Sequence, residues 1–206
     1  MAGEFILTVG DSSQLDGLFN GKFMKGRAEQ RIAMVGRSNV GKSSLINALL
    51  SFSLARTSNQ PGKTRQIHFY LWKEAKRIVA DLPGFGYAKV SAEERNRWAA
   101  FVESYLEADS GLECTLVLLD GRHGPTEIDL DAIRFLSSKR IPMIFVLTKV
   151  DTLKTQKERA SRKKEVDTAL REIGVDPSHA FWVSAKTKDL GLKKLSQTLQ
   201  KGDLSA

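Results

Sequence analysis

Apolar and polar positions along the chain follow two rhythms. Short apolar runs at Arg31–Val35, Ile67–Trp72, Arg77–Asp81, Thr115–Asp120, Met143–Leu147 and Ala180–Val183 read as six strands. Between them lie segments of helical period. Trp98, Phe101, Val102, Tyr105 and Leu106 recur at i, i+3, i+4, i+7 and i+8, one apolar stripe behind a Ser91/Glu94 capping pair. Thr126 and Asp129 repeat the capping signature ahead of Ile128, Ile133 and Leu136, with Ala132 on the same face. Residues 155–173 are charged and sparsely apolar, which predicts an exposed helix. A last helix is expected from about Asp189 to Leu199, on Leu192, Leu195 and Leu199.

Strands alternating with helices predict an α/β fold: a six-stranded, mostly parallel sheet with helices on both faces. The short turn Lys73–Lys76 makes Ile67–Trp72 and Arg77–Asp81 a hairpin, so one edge strand is expected to run antiparallel. Ligands in open sheets of this kind bind beyond the carboxyl ends of the strands. The candidate residues all fall at such ends.

The stretch "GRSNVGKS", Gly36 to Ser43, matches G-x-x-x-x-G-K-[ST] in full, after a strand and before the helical "SSLINALL". Gly36 and Gly41 let the backbone curl, so that the N–H groups of Arg37, Ser38, Asn39, Val40, Gly41, Lys42, Ser43 and Ser44 can cradle phosphate oxygens. The helix dipole adds positive potential there. Lys42 is expected to reach the β- and γ-phosphates, and the Ser43 hydroxyl to ligate Mg²⁺.

The base is read from "TKVD", Thr148 to Asp151, at the end of the apolar "IPMIFVL". The Asp151 carboxylate can accept from guanine N1–H and N2–H₂, whereas adenine would leave it unpaired, a costly loss in a desolvated site. The Lys149 stem can lie over the base. "SAK", Ser184, Ala185 and Lys186, follows the last strand and can offer an N–H to guanine O6. The basic segment "TSNQPGKTRQ" would place the Thr64 hydroxyl on Mg²⁺ only when a γ-phosphate is present. In "DLPGFGYAKV", Asp81 would hold Mg²⁺ through a water and the Gly84 N–H would meet the γ-phosphate. These two segments would order with GTP and loosen with GDP. The expected architecture is a P-loop GTPase three-layer sandwich. Its GTP-binding domain spans 31–200, after residues 1–30 without a usable motif and before a 201–206 tail.

Composition narrows the setting. The chain has 206 residues, 41% hydrophobic and 27% charged, values usual for a soluble globular protein. No apolar run approaches the about 18 residues of a membrane span. The start, "MAGEFILTVG", has Glu4 and too short an apolar run for a signal peptide, so the cytoplasm is expected. The one cysteine, Cys114, cannot form an internal disulfide and reads as a buried structural thiol. His68, His123 and His179 lack zinc-site spacing. A net charge of +8 points to a polyanionic partner. Candidate contacts are Arg56, Lys63 and Arg65, "KERASRKK" at 157–164, and Lys186, Lys188, Lys193 and Lys194.

Taken together, "GRSNVGKSSLINALL", "TSNQPGKTRQIHFY", "DLPGFGYAKVS", "DGRHG" with "DLDAIRFL", "VLTKVD" and "VSAK" resemble the EngB (YihA/YsxC) family of translation-factor-type GTPases over residues 31 to 186. The family's threonine-led "TKxD" is matched by Thr148. The resemblance implies a bacterial or organellar GTPase assisting assembly of the large ribosomal subunit or its precursor, with rRNA and ribosomal proteins as partners; a monomer is expected. It also implies that Phe85, where Ras-type enzymes have a water-orienting Gln, follows the family pattern. Slow intrinsic hydrolysis is then expected. Asn39 occupies the position where potassium-dependent relatives hold K⁺; satisfying a turn is its other reading. Arg122 and His123 resemble the family's "RH" pair, suited either to packing under the base site or to RNA contact. Two alternatives stand beside this reading: a GTPase in tRNA modification or signalling, and a GTP-gated binding module with negligible hydrolysis.

Overall fold

The computed structural model describes residues 3–15, 17–19, 30–51, 66–86, 91–188 and 190–202. Seven strands are β1 (Glu4–Val9), β2 (Gln30–Gly36), β3 (Ile67–Trp72), β4 (Arg77–Asp81), β5 (Leu112–Asp120), β6 (Met143–Thr148) and β7 (Phe181–Trp182). The helices are α1 (Lys42–Leu49), α2 (Ala92–Ala108), α3 (Glu127–Ser138), α4 (Gln156–Glu172) and α5 (Leu190–Lys201).

The strands form one sheet in the order β1-β3-β4-β2-β5-β6-β7. β4, β2, β5, β6 and β7 pair in parallel. β3 runs against both β4 and β1, and is the one strand opposed to the rest. The sheet therefore has seven strands where six are expected, and the opposed strand is interior while β1 is the edge. β1 comes from residues 1–30. Its "EFILTV" pattern is only half-buried, with Phe5 exposed, so its pairing with β3 depends on a distant partner. Nearby, Leu15 and Leu18 are buried, and the Phe19 ring packs on Phe69 and Tyr105.

Alternation along the strands makes two cores, one on each face. From β2, Ala33 and Val35 face Val102 and Tyr105 of α2, Ile133 and Leu136 of α3, and Val166 and Leu170 of α4. Ile32 and Met34 join Leu45 and Ile46 of α1 and Leu192, Leu195 and Leu199 of α5. Each of the buried Val, Leu, Ile and Met side chains is worth about 1.5–3 kcal/mol. Cys114 lies in the second core, and its thiol is pushed up to about 12, chiefly by burial. β5 begins before the expected Thr115 because Glu113 takes the Arg77 guanidinium at 2.7 Å, giving a charged residue a partner within the sheet.

The helix boundaries follow local chemistry. The Asp129 carboxylate accepts from the Thr126 backbone N–H at 2.8 Å and its hydroxyl at 2.7 Å, at the start of α3. At α4, Glu158 N–H donates to Thr155 Oγ1 at 3.1 Å and Thr155 N–H to the Glu158 carboxylate at 3.1 Å. Among the described residues, no helix is long and apolar enough to cross a membrane. Parallel pairing sets Met34 beside Asp81, Gly36 beside Leu118, and Asp120 beside Thr148. The carboxyl ends of β2, β4, β5 and β6 thus meet along one edge, where the described candidate residues gather.

Candidate nucleotide site

β2 ends at Gly36 and the chain turns tightly into α1. Asn39 has φ of 62° and Gly41 φ of 107°. Asn tolerates the left-handed region, and Gly41 avoids the strain a side chain would meet there. Among the described residues no side chain caps α1, so its first-turn N–H groups are open to a ligand. Ser43 and Ser44 lie in that turn. Lys42 pairs with Asp81, the last residue of β4, and both side chains are largely buried. The expected phosphate lysine and the expected metal carboxylate thus meet at one point. Arg37 departs from the cradle: its Nε donates to buried Asp129 at 3.1 Å, leaving only its backbone in the loop.

The segment after β4 is laced to this loop. Ser38 N–H donates to the Phe85 carbonyl at 3.0 Å, and Phe85 N–H to the Gly36 carbonyl at 3.4 Å. Gly84 is packed so closely that a Cβ there would stand 3.1 Å from Ser38 Oγ. Phe85 is buried, its ring edge-on to Trp98 at 5.3 Å, while Trp98 Nε1 donates to the Pro83 carbonyl at 2.7 Å. Phe85 is therefore an anchor into the core. Trp98, legible in the sequence only as part of a helical stripe, also holds this segment. Thr64, expected to ligate Mg²⁺, and the basic Arg56, Lys63 and Arg65 lie outside the described residues.

The base loop closes β6. Buried Thr148 directs its hydroxyl to the Val40 carbonyl at 2.5 Å and lies 3.2 Å from the Leu119 carbonyl, tying the base loop to the phosphate loop. Lys149 has φ of 58°, and its ammonium donates to the Asn39 carbonyl at 2.5 Å and to Asp120 Oδ2 at 3.0 Å. Ser184, after β7, donates to Asp151 Oδ1 at 2.8 Å and receives Thr187 N–H at 3.1 Å. Ser184 is buried, Ala185 half-buried and Lys186 exposed, so the turn after β7 lies against the Asp151 carboxylate. Asp120 was not expected in the site. Its signal was a carboxylate ending the apolar "TLVLL", at the strand edge where ligands bind. Burial would raise its pKa, but hydrogen bonds from Arg122 and Lys149 outweigh that and hold it well below the usual carboxylate range.

A phosphate-type loop opening a helix after β2 and a TKVD loop closing β6, on a mostly parallel sheet covered by helices on both faces, define a P-loop GTPase. A family model described as a 50S ribosome-binding GTPase matches residues 31–149. The chain belongs to the EngB family of GTP-binding proteins. It is 41% identical over 172 residues to the probable GTP-binding protein EngB of Desulfovibrio desulfuricans, covering 83% of this chain and 82% of that one. It is 48% identical over 134 residues to that of Thermotoga maritima, covering 65% and 68%. A crystal structure of a probable EngB superposes with a TM-score of 0.64 at 26% identity, covering 84% of this chain and 97% of that one. The fold is shared with Era in complex with MgGDPNP and a 16S ribosomal RNA fragment (TM-score 0.64, 24% identity, 84% and 56% covered). The family expected from the sequence motifs is the one found.

Proposed function

We propose that this GTPase is a nucleotide switch in assembly of the large ribosomal subunit, working in the cytoplasm as a monomer. The observation that carries the reading is the match over residues 31–149 to a family described as 50S ribosome-binding. Charge supports it. Lys186, Lys188, Lys193 and Lys194 are exposed around the start of α5 and suit phosphate oxygens. On α4 much of the positive charge is already engaged: Lys163 with Asp167, Arg162 with Glu165, and Arg159 with the Leu153 carbonyl. The α5 end is thus the better polyanion surface.

In this reading the backbone N–H groups of Gly41 to Ser44 take the phosphates, those of Ser38 and Val40 being engaged by the Phe85 and Arg37 carbonyls; Lys42 moves from Asp81 to the β- and γ-phosphates, and Gly84 N–H senses the γ-phosphate. The residues fit Mg²⁺, because the Asp81 carboxylate lies against Lys42 beside the first turn of α1, which carries the Ser43 hydroxyl: Ser43 would hold the ion directly and Asp81 through a water, with Thr64, outside the described residues, as the further direct ligand read from the sequence. The ion supplies neutralisation of charge developing on the phosphates. Asp151 and Lys149 take the guanine, and the Ser184–Lys186 turn offers an N–H to its O6.

Phe85, buried against Trp98, leaves water activation to another group, so intrinsic hydrolysis is slow. Asn39 suits K⁺, since its carboxamide is exposed at the lip of the cradle and offers a hard oxygen. A group of the ribosomal partner is the second source. The buried Phe85 also favours a second reading, a GTP-gated binding module with negligible hydrolysis. Co-sedimentation with large subunits under a GTP analogue or GDP, at two salt concentrations, tests the proposal. Retention with the analogue, loss with GDP and weakening by salt are expected; equal retention with both nucleotides would overturn the switch. Single-turnover hydrolysis in K⁺ and Na⁺, with and without subunits, separates the two readings: GTP left intact throughout selects the binding module.

A further inference from the structure

The loop between β5 and α3 contains a second carboxylate system beside the base loop. Asp120 ends β5 directly opposite Thr148 in the sheet register, and Gly121 N–H donates to the Thr148 carbonyl at 2.9 Å. The loop then folds back on the strand end. His123 and Gly124 donate their N–H groups to the Asp120 carbonyl at 3.1 and 2.9 Å. Arg122 donates its backbone N–H to Asp120 Oδ1 at 3.0 Å. Its guanidinium grips the same carboxylate with both arms, Nε on Oδ1 at 2.9 Å and Nη2 on Oδ2 at 2.7 Å. From the far side, Arg162 of α4 clamps the His123 carbonyl at 2.9 Å.

Asp120 Oδ2 is also one of the two anchors of the Lys149 ammonium; the other is the Asn39 carbonyl. A lysine side chain is a long flexible stem, so its position is set by whatever fixes its ammonium. A lone carboxylate can rotate, whereas one held in a planar two-point grip cannot do so without breaking both bonds. The grip turns Oδ2 toward Lys149, and buried Asp120 has little water to replace it.

We propose that Arg122 is a positioning residue for the guanine site: by holding the Asp120 carboxylate it sets Lys149 across the base plane, between the end of β5 and the phosphate loop. The inference rests on the reading of Lys149 and Asp151 as base-contacting residues. It gives the "DGRHG" segment a role inside the nucleotide site, with the Arg122 guanidinium committed to Asp120.

A double-mutant cycle on the full chain tests it, with affinities and dissociation rates of GDP and GTP as the readout and thermal midpoints as a control. Arg122→Gln removes the two-point grip, and Arg122→Lys keeps the charge without the fork. Each is expected to weaken GDP about ten-fold in the parent and to leave the Lys149→Ala variant unchanged, the non-additivity of residues acting as one unit. The loss should lie in faster dissociation. Equal loss in both backgrounds would assign Arg122 a structural role only and overturn the inference, as would full affinity in both Arg122 variants. If Arg122→Gln fails to fold, Arg122→Lys carries the same comparison. Lys149→Ala and Asp151→Asn made alone test the underlying reading: unchanged GDP affinity in both would remove the base site itself, an outcome distinct from additivity at Arg122.

Discussion

Single side chains do two kinds of work in the nucleotide site. Asp151 is held by Ser184 at 2.8 Å, so under the proposed reading it would meet a base in a fixed orientation. Asp151→Asn replaces one acceptor by an N–H₂ that faces the guanine donors. GDP affinity should fall by at least about ten-fold to a hundred-fold, while xanthosine diphosphate, with an oxygen at position 2, should gain; competition binding of the two nucleotides checks this. Asp120 works on stability. Its folded pKa is depressed below the unfolded value of about 3.9, so its contribution is present above that value and is lost as pH falls through the folded pKa. Asp120→Asn should therefore cost about 1–3 kcal/mol near pH 7, and the gap to the parent should narrow in strong acid. Urea unfolding at the two pH values reads it; a gap that widens in acid would contradict the sign.

Between elements, the contacts that count join segments far apart in the chain. Arg37 ties the phosphate loop to α3 through Asp129, and Phe85 with Trp98 ties the segment after β4 to α2. Putting back the glutamine that Ras-type enzymes use should for this reason fail as a gain of function. Phe85→Gln removes a buried ring from the core, a loss of about 3–5 kcal/mol for large aromatic truncations, and the new amide starts from a position facing Trp98. The expected result is a lower thermal midpoint with no rise in single-turnover hydrolysis. Faster hydrolysis in Phe85→Gln would show that the side chain can reach the γ-phosphate. A comparable joint binds β2 to α2: the Asp109 carboxylate, wholly buried, is paired with Arg31 and accepts from Tyr105 at 2.8 Å. Asp109→Ala strands a buried arginine and should cost about 3–5 kcal/mol in chemical denaturation.

At the scale of the molecule, β1 decides how the sheet ends. It covers β3 from Ile67 to Leu71, so that β3, with its buried Phe69 and Tyr70, is no longer an open edge. A chain lacking residues 1–10 should expose that edge, lose thermal stability and self-associate, since an uncovered apolar strand is a template for pairing. Light scattering and a melting curve test this. A truncated chain as stable and as dispersed as the parent would show that β1 is dispensable.

How much of this was legible follows from the range of the interactions involved. The phosphate loop, the TKVD loop and the cap at Thr126 are each built from neighbouring residues. Their chemistry is local and can be read in order along the chain, as can the strand–helix alternation that sets the fold class. The inward turn of Phe85, the grip of Arg122 on Asp120 and the departure of Arg37 from its own loop depend on groups brought together by the sheet. So does β1: its half-apolar run has no strong pattern of its own, and its pairing energy exists only once β3 is in place. Local sequence specified which loops could hold a nucleotide, and packing across the sheet specified which side chains those loops lean on.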